Sequence, residues 1–301
     1  MALEKHTKVL VTGAGGLIGY VVAEHLYSVG YDVVGVVRKE CDVVFPTVCW
    51  DLRHGIQKIT HEITGVDAVV HSAAIFPSTD TTDEESAVTN QQIDKAIFEL
   101  VNHYAVPIVF MSSCSIYAHS QIMGSSWNES DFVNPQSQYA RQKLESEQLF
   151  YSDNPRAISL RIPSPFGMRQ TNKNVLKFFI DRALQGEPLR YHGTGMREQN
   201  FISAHDIALA VERALQTSAK GIFNIASDRA ISMKELAELI CTVAQPTGSI
   251  VEASGQLDEQ DHIRVRISIE KAWRELGWKP STNMLSELQE IISYRRREVH
   301  E

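Results

Sequence analysis

The sequence predicts an α/β protein, a doubly wound parallel sheet with a smaller C-terminal lobe. Three observations carry this. Short Val- and Ile-rich runs alternate with longer amphipathic stretches through the first half, the pattern of parallel strands covered on both faces by helices. A glycine-dense turn, Thr12-Gly13-Ala14-Gly15-Gly16-Leu17-Ile18-Gly19, joins the first run to the first helical stretch. At 301 residues the chain is long for a single core, and the alternation breaks after residue 163.

In order, strands are expected at 8–12, 32–37, 68–71, 107–112 and 157–162, with helices near 17–29, 87–104 and 138–151. Gly30 is placed to end the first helix. Pro163-Ser164-Pro165-Phe166-Gly167 then interrupts the pattern. A helix at 175–185, a turn around Gly193 and Gly195, a helix near 206–216 and a strand at 221–226 follow. The chain closes with a helix at 232–244, an extended piece near 263–269 and two further helices. Residues 1–165 read as the nucleotide-binding domain, also receiving roughly 201–226, and 166–301 read mainly as a substrate-binding lobe.

Composition narrows the function classes. A hydrophobic share of 43% and a charged share of 22% are ordinary for a globular chain. The net charge of −8, with no long basic run, argues against nucleic acid or an anionic membrane as partner. Met1–Lys8 lacks an apolar leader segment and no run approaches membrane-spanning length. Cys41, Cys49, Cys114 and Cys241 are scattered, which fits a reducing cytoplasm, and neither they nor His192 and His205 have metal-ligand spacing.

The glycine turn is the first chemical signal. A strand ending in such a turn brings backbone N–H groups up to a phosphate, and the following helix N-terminus adds partial positive charge. Gly13 permits the turn, Gly16 admits the pyrophosphate and Gly19 lets helix pack on strand. The spacing Gly-x-x-Gly-x-x-Gly is longer than the commonest fingerprint, because Ile18 sits where that pattern wants glycine. The second signal is Tyr139-Ala140-Arg141-Gln142-Lys143, where tyrosine and lysine share one helix face. A free phenol titrates near about 10. A lysine cation beside it favours the phenolate and brings it into acid–base range.

With these residues in place, the sequence resembles the extended short-chain dehydrogenase/reductase family, in its NAD-dependent epimerase/dehydratase branch. The matches run over nearly the whole chain. They include the glycine turn, Asp51-Leu52, His71-Ser72-Ala73-Ala74, Ser112-Ser113-Cys114-Ser115-Ile116-Tyr117, Tyr139 with Lys143, and Arg161 to Gly167. Phe201-Ile202-Ser203-Ala204-His205-Asp206, Phe223-Asn224-Ile225-Ala226 and Leu276-Gly277-Trp278-Lys279-Pro280 complete them. The resemblance implies a Rossmann-type fold and hydride transfer between a nicotinamide cofactor and a sugar carbon. It assigns Tyr139 as general acid/base, Lys143 to the nicotinamide ribose and to lowering the Tyr139 pKa, and Ser113 to the reacting oxygen. Asp51 and Leu52 would contact adenine, and Ala73 would line the cofactor groove. Leu17, Ile18, Ser72, Ala74 and Ile162 join the cofactor set. Phe76, Cys114 and Ser164 fall on the substrate side, beside Ile75 and Pro77.

Departures from the family pattern bear on function. The end of the second strand carries Val37 where NAD-preferring members have an acid, followed by Arg38 and Lys39. These cations suit a 2′-phosphate, so NADP(H) is favoured over NAD(H). Cys114-Ser115 replaces the Asp-Glu pair of dehydratases, which argues against 4,6-dehydration. Ser112-Ser113-Cys114 is similar to the Ser-Ser-Cys of the GDP-fucose synthases, with Ser115 as an extra residue. Gln199-Asn200 stands where an arginine often grips the substrate pyrophosphate, leaving Arg197, Arg264 or Arg266 to do so. The leading expectation is a keto-sugar reductase acting on a nucleotide-diphosphate sugar. A nucleotide-sugar epimerase with tightly bound NAD is the alternative, and a non-catalytic NAD(P)-binding protein a third. A homodimer seamed by 93–104 and 144–151 is also expected.

Overall fold

The sheet is built outward from its first strand. The structure, a computed structural model, describes residues 6–78, 81–117, 126–154, 156–171, 174–245 and 250–300. The chain runs β1 (Lys8–Thr12), α1 (Leu17–Ser28), β2 (Asp32–Val37), β3 (Thr47–Cys49), α2 (Gln57–Glu62), β4 (Ala68–His71) and α3 (Asp83–Tyr104). Next come β5 (Ile108–Ser113), α4 (Gln138–Asp153), β6 (Ile158–Ile162), β7 (Ser164–Phe166), α5 (Val175–Leu184), β8 (Leu189–Tyr191) and β9 (Glu198–Gln199). The rest is β10 (Phe201–Ser203), α6 (Ala204–Gln216), β11 (Gly221–Asn224), β12 (Ile231–Ser232), α7 (Met233–Ala244), β13 (Val251–Ala253), α8 (Glu270–Leu276) and α9 (Met284–His300).

Seven parallel strands lie in the order β11-β6-β5-β4-β1-β2-β3. The winding reverses between β1 and β4, so their C-terminal ends border the crevice where such sheets take ligands. Alternate side chains feed two cores. Val9 and Val11 of β1 pack with Val22 and Leu26 of α1 and with Ile207 and Val211 of α6. Leu10, between them, packs on the opposite face with Ile93, Ile97 and Leu100 of α3. A third core, around Phe166, Phe179, Leu236, Ile240, Leu288 and Ile291, joins α5, α7 and α9.

The expected strands and helices are present with small shifts at their ends. β3 and α2 are additions that were too short for periodicity to reveal. α3 starts at Asp83 rather than near 87, because Thr82 and Glu85 form a capping box ahead of its apolar face. The extended piece near 263–269 meets the rest of the chain through a bridge between Ile267 and Trp127. Among the described residues no helix is long and apolar enough to cross a membrane. Within the stretches 93–104 and 144–151, Lys95, Glu99, Asn102 and His103 of α3 and Glu145 and Gln148 of α4 are exposed, while Ile93, Ile97, Leu100 and Phe150 lie in the core.

Gly19 is the tightest helix–turn contact. A Cβ there would stand 2.2 Å from the Gly13 carbonyl oxygen. Gly19→Ala should therefore cost about 1–3 kcal/mol through forced backbone shifts, read as a lower urea midpoint. Glu287 of α9 supplies a second test. Its side chain is buried and accepts the Ser203 hydroxyl, while its second oxygen has no partner among the described residues. Burial, with help from Asp206 and Glu290, pushes its pKa up to about 7. A raised carboxyl favours folding fully below its unfolded value, and that contribution is lost as pH climbs through the folded value. The loss approaches about 3 kcal/mol by pH 8. Glu287→Gln should accordingly melt above the wild-type protein at pH 8 and close to it at pH 5, as followed by thermal denaturation.

Candidate active site

The crevice begins at the glycine turn. Gly13 has φ +67°, and a Cβ on it would lie 2.7 Å from the Ala73 backbone nitrogen, so only glycine lets the turn come this close to the end of β4. Thr12 binds the same two ends together: its hydroxyl oxygen accepts the Ser72 and Ala73 N–H groups, each at 3.2 Å. Helix α1 then starts from Gly16 with no side-chain cap. By contrast α3, α4, α5, α6 and α7 open on Thr82, Ser137, Asn174, Ser203 and Ser232, each of which accepts a first-turn N–H. The first-turn N–H groups beside Leu17 and Ile18 are thus left to an anion, the arrangement that a dinucleotide pyrophosphate requires. The residues present fit that group.

Other residues of the cofactor set lie around this edge in different states. Val37 is buried at the end of β2, and Arg38 and Lys39 after it are exposed. Asp51 caps the short 3-10 turn at Leu52–His54 and binds the Arg53 guanidinium, which holds its carboxyl down at about 2. The Leu52 and Ile162 side chains are buried in the two cores, Leu52 in that with α3 and Ile162 in that with α1 and α6. Asn90 bonds the Ile75 backbone at both its N–H and C=O, at 2.8 and 2.9 Å, and so shapes the loop from Ser72 to Ser78.

Tyr139, Lys143 and Ser113 come together across β5 and α4. Ser113 ends β5 and Tyr139 lies in the first turn of α4. Asp83 fixes that turn by accepting the Gln138 and Tyr139 N–H groups at 2.7 and 3.0 Å. The Ser113 hydroxyl meets the Tyr139 phenol, and the Phe76 ring, partly exposed, lies 5.4 Å from the Tyr139 ring. Lys143 is buried one turn along. Its Nζ donates to the Met111 carbonyl at 3.1 Å, 4.6 Å above the Phe110 ring and 5.9 Å from the Tyr139 ring. Lys143 was expected to lower the Tyr139 pKa, but here the phenol is raised instead. Burial is the main cause and the Asp94 charge adds to it, while the Ser113 contact opposes both. The lysine ammonium is spent on the Met111 carbonyl and is itself pulled down by burial.

Beneath these groups lie charges that sequence reasoning passed over. Arg161 makes a two-bond pair with Glu147, at 3.0 and 2.8 Å, and Glu147 also accepts the Ser112 hydroxyl at 2.6 Å. Arg161 donates on to Tyr117, whose hydroxyl reaches Asn224 at 2.7 Å. Asp94 of α3 accepts from His71 at 2.7 Å, from Gln142 at 2.6 Å and from the Ser146 hydroxyl. The only sequence signal for Asp94 was a carboxylate on the apolar face of a helix.

The substrate-side residues divide. Ser164 is bonded by Gln199, which stands where an arginine was missed. Cys114 is buried, its thiol donates to the Arg161 carbonyl at 3.3 Å, and burial pushes its pKa up, as for a packed thiol. Arg197 is tied to Asp258 and Gln260, Arg266 to Glu198, and Arg264 to the Asp261 and Ile263 carbonyls. Among the described residues no three His, Cys, Asp or Glu side chains stand together as a metal site.

Known proteins agree with this architecture. The family model described as NAD dependent epimerase/dehydratase family matches residues 9–226. A putative UDP-glucose 4-epimerase of Methanocaldococcus jannaschii is 25% identical, over 96% of this chain and 98% of that protein. UDP-glucuronic acid decarboxylase 1 of Xenopus tropicalis is 23% identical, over 97% of this chain and 73% of its own length. Among solved structures, UDP-N-acetylglucosamine 4-epimerase from Bacillus cereus superposes with a TM-score of 0.81 at 25% identity, covering 96% of both chains. The sheet order, the glycine turn and a family match over most of the chain lead to one conclusion: this protein belongs to the NAD-dependent epimerase/dehydratase family of extended short-chain dehydrogenases/reductases.

Proposed function

We propose that the protein is an NAD-dependent epimerase acting on a nucleotide-diphosphate sugar. The observation that carries this is Tyr139, Ser113 and Lys143 gathered beside an uncapped glycine turn. The relatives support the sugar-nucleotide class, and those named epimerases match over nearly their whole length. The turn at Gly13–Gly19 would hold the pyrophosphate, Asp51 and the Leu52 backbone the adenine, Ser72 to Ala74 the groove wall, and Lys143 the nicotinamide ribose.

When bound, the nicotinamide supplies a hydride acceptor and donor at the sugar carbon. The chain's own residues manage the proton. Tyr139 Oη takes the proton of the sugar hydroxyl as that carbon is oxidised, and returns it on reduction. Ser113 Oγ orients the reacting oxygen and offsets its developing charge. Placing the Lys143 ammonium on the ribose, away from the Met111 carbonyl, would turn its charge towards Tyr139 and bring down a phenol that burial has raised. Phe76 beside Tyr139 offers the sugar an apolar wall, and residues 166–301 would supply most of the remaining substrate contacts. Dehydration finds no support at Cys114-Ser115, because the thiol is buried against Arg161.

A second reading, a keto-sugar reductase using NADP(H), is favoured by one observation: Val37, Arg38 and Lys39 put cations and no acid at the end of β2. The two readings part on cofactor retention. Denaturing freshly purified protein and identifying the released nucleotide by mass spectrometry should yield NAD; an empty protein that prefers NADPH in titration would instead favour the reductase. Arg38→Ala is the complementary test. It should leave NADH binding within about twofold and, if the reductase reading holds, weaken NADPH by about tenfold or more, a loss of roughly 1.4 kcal/mol. Tyr139→Phe should lower turnover of a UDP-sugar by about 10²–10⁴ with cofactor binding nearly intact. Wild-type turnover in that variant would exclude the mechanism.

A further inference from the structure

We propose that Asp94 is the counter-ion and positioning residue for Lys143, and that His71 and Thr12 connect this buried pair to the glycine turn. Its meaning for catalysis rests on the Tyr139–Lys143–Ser113 reading above; the charge pairing does not.

Lys143 is 2% exposed, and its one hydrogen bond among the described residues is to a neutral carbonyl. A buried ammonium needs opposite charge close by. Titratable and charged groups act on it from the packed elements: His71 from β4, Asp94 from α3, and Tyr139 and Glu147 from α4 itself, with Arg161 of β6 bonded to Glu147. Of the two carboxylates, Glu147 is already engaged by both nitrogens of the Arg161 fork. Asp94 is not neutralised in that way. Its three donors are an amide, a hydroxyl and an imidazole.

The imidazole is neutral on geometric grounds. Thr12 Oγ1 accepts the Ser72 and Ala73 N–H groups, so its own proton goes to His71 Nδ1 at 2.7 Å. His71 therefore carries its proton on Nε2, which donates to Asp94. Burial also holds the His71 pKa down. Asp94 is left as a buried, fully hydrogen-bonded negative charge held against α4 by Gln142 and Ser146, which flank Lys143. The His71 ring that donates to it packs 5.6 Å from the Phe110 ring, over which Lys143 Nζ lies at 4.6 Å. Both carboxylates pull the lysine pKa back up against burial. The chain Thr12–His71–Asp94 thus starts where the turn meets β4 and ends against the helix that carries Tyr139 and Lys143.

The test is urea unfolding of wild-type protein, Asp94→Asn, Lys143→Met and the double variant between pH 7 and 9. With Asn at 94, the folded state holds an uncompensated ammonium whose pKa falls, while the unfolded chain keeps the ordinary lysine value. The unfolded state then binds more protons, so the deficit of Asp94→Asn relative to wild type is largest at pH 7. It should narrow towards pH 9 by up to about tenfold in the unfolding constant per pH unit. His71 titrates below this window. Lys143→Met should relieve most of the deficit in the double variant. A deficit that is flat with pH and unrelieved in the double variant would overturn the proposal and leave Asp94 a hydrogen-bond hub. Should Asp94→Asn fail to fold, the double variant decides: recovery of a folded protein supports the pairing and its loss overturns it. NADH fluorescence titration adds a functional readout, in which the affinity of Asp94→Asn should drop from pH 7 to 9 while wild type stays level. Failure of wild type to bind NADH would count against the cofactor reading, with the pairing still judged by unfolding.

Discussion

Two carboxylates buried under the C-terminal edge of the sheet, Asp94 and Glu147, carry the positive charge on which the site is built. Glu147 holds Arg161, which braces Tyr117 and Asn224 and ties β5, β6 and β11 at one level. Asp94 faces Lys143 and holds α3 against α4 through Gln142 and Ser146. Breaking one member of such a buried set exposes the cost of an unpaired charge, of order 3–5 kcal/mol, although the intact set adds little net stability. These charges serve placement. They fix α4 in register with β5, and so fix the distance from Ser113 to Tyr139.

The same economy governs the cofactor edge. Thr12 spends its hydroxyl on both ends of the crevice, accepting from Ser72 and Ala73 and donating to His71. Gly13 removes the side chain that would hold β1 and β4 apart. What remains is a helix start with unused N–H groups, in a chain whose other long helices are mostly capped by their own Ser, Thr or Asn. Binding and fold are coupled there, since the groups that close the sheet also leave the anion its donors.

Much of this was legible beforehand, for physical reasons. A glycine turn between strand and helix has few uses, and continuous Val- and Ile-rich runs between amphipathic stretches mark a sheet covered on both faces, so the fold and the pairing of Tyr139 with Lys143 could be read directly. Short elements such as β3 and α2 carry too few residues for a period, and the start of α3 was hidden because a capping box is polar. What a side chain does when buried was the least legible. Leu52 and Ile162 matched family positions but are buried in the cores, Cys114 packs on a carbonyl, and Lys143 answers to Met111 rather than Tyr139 in this state. Asp94 looked like an ordinary helix residue until its three donors were in place.

Charge also frames the choice of substrate. Around β9, Arg197 is paired with Asp258, Arg266 with Glu198, and Arg264 is occupied by two carbonyls. Gln199, neutral, is spent on Ser164. The field of these cations is already offset by carboxylates, so freeing either of the paired arginines means releasing an acid. At the opposite edge Arg38 and Lys39 are exposed, and β2 ends on Val37 rather than on an acid. Among the described residues, exposed cations therefore stand at the end of β2, whereas the arginines beside Glu198 and Asp258 are already paired with carboxylates.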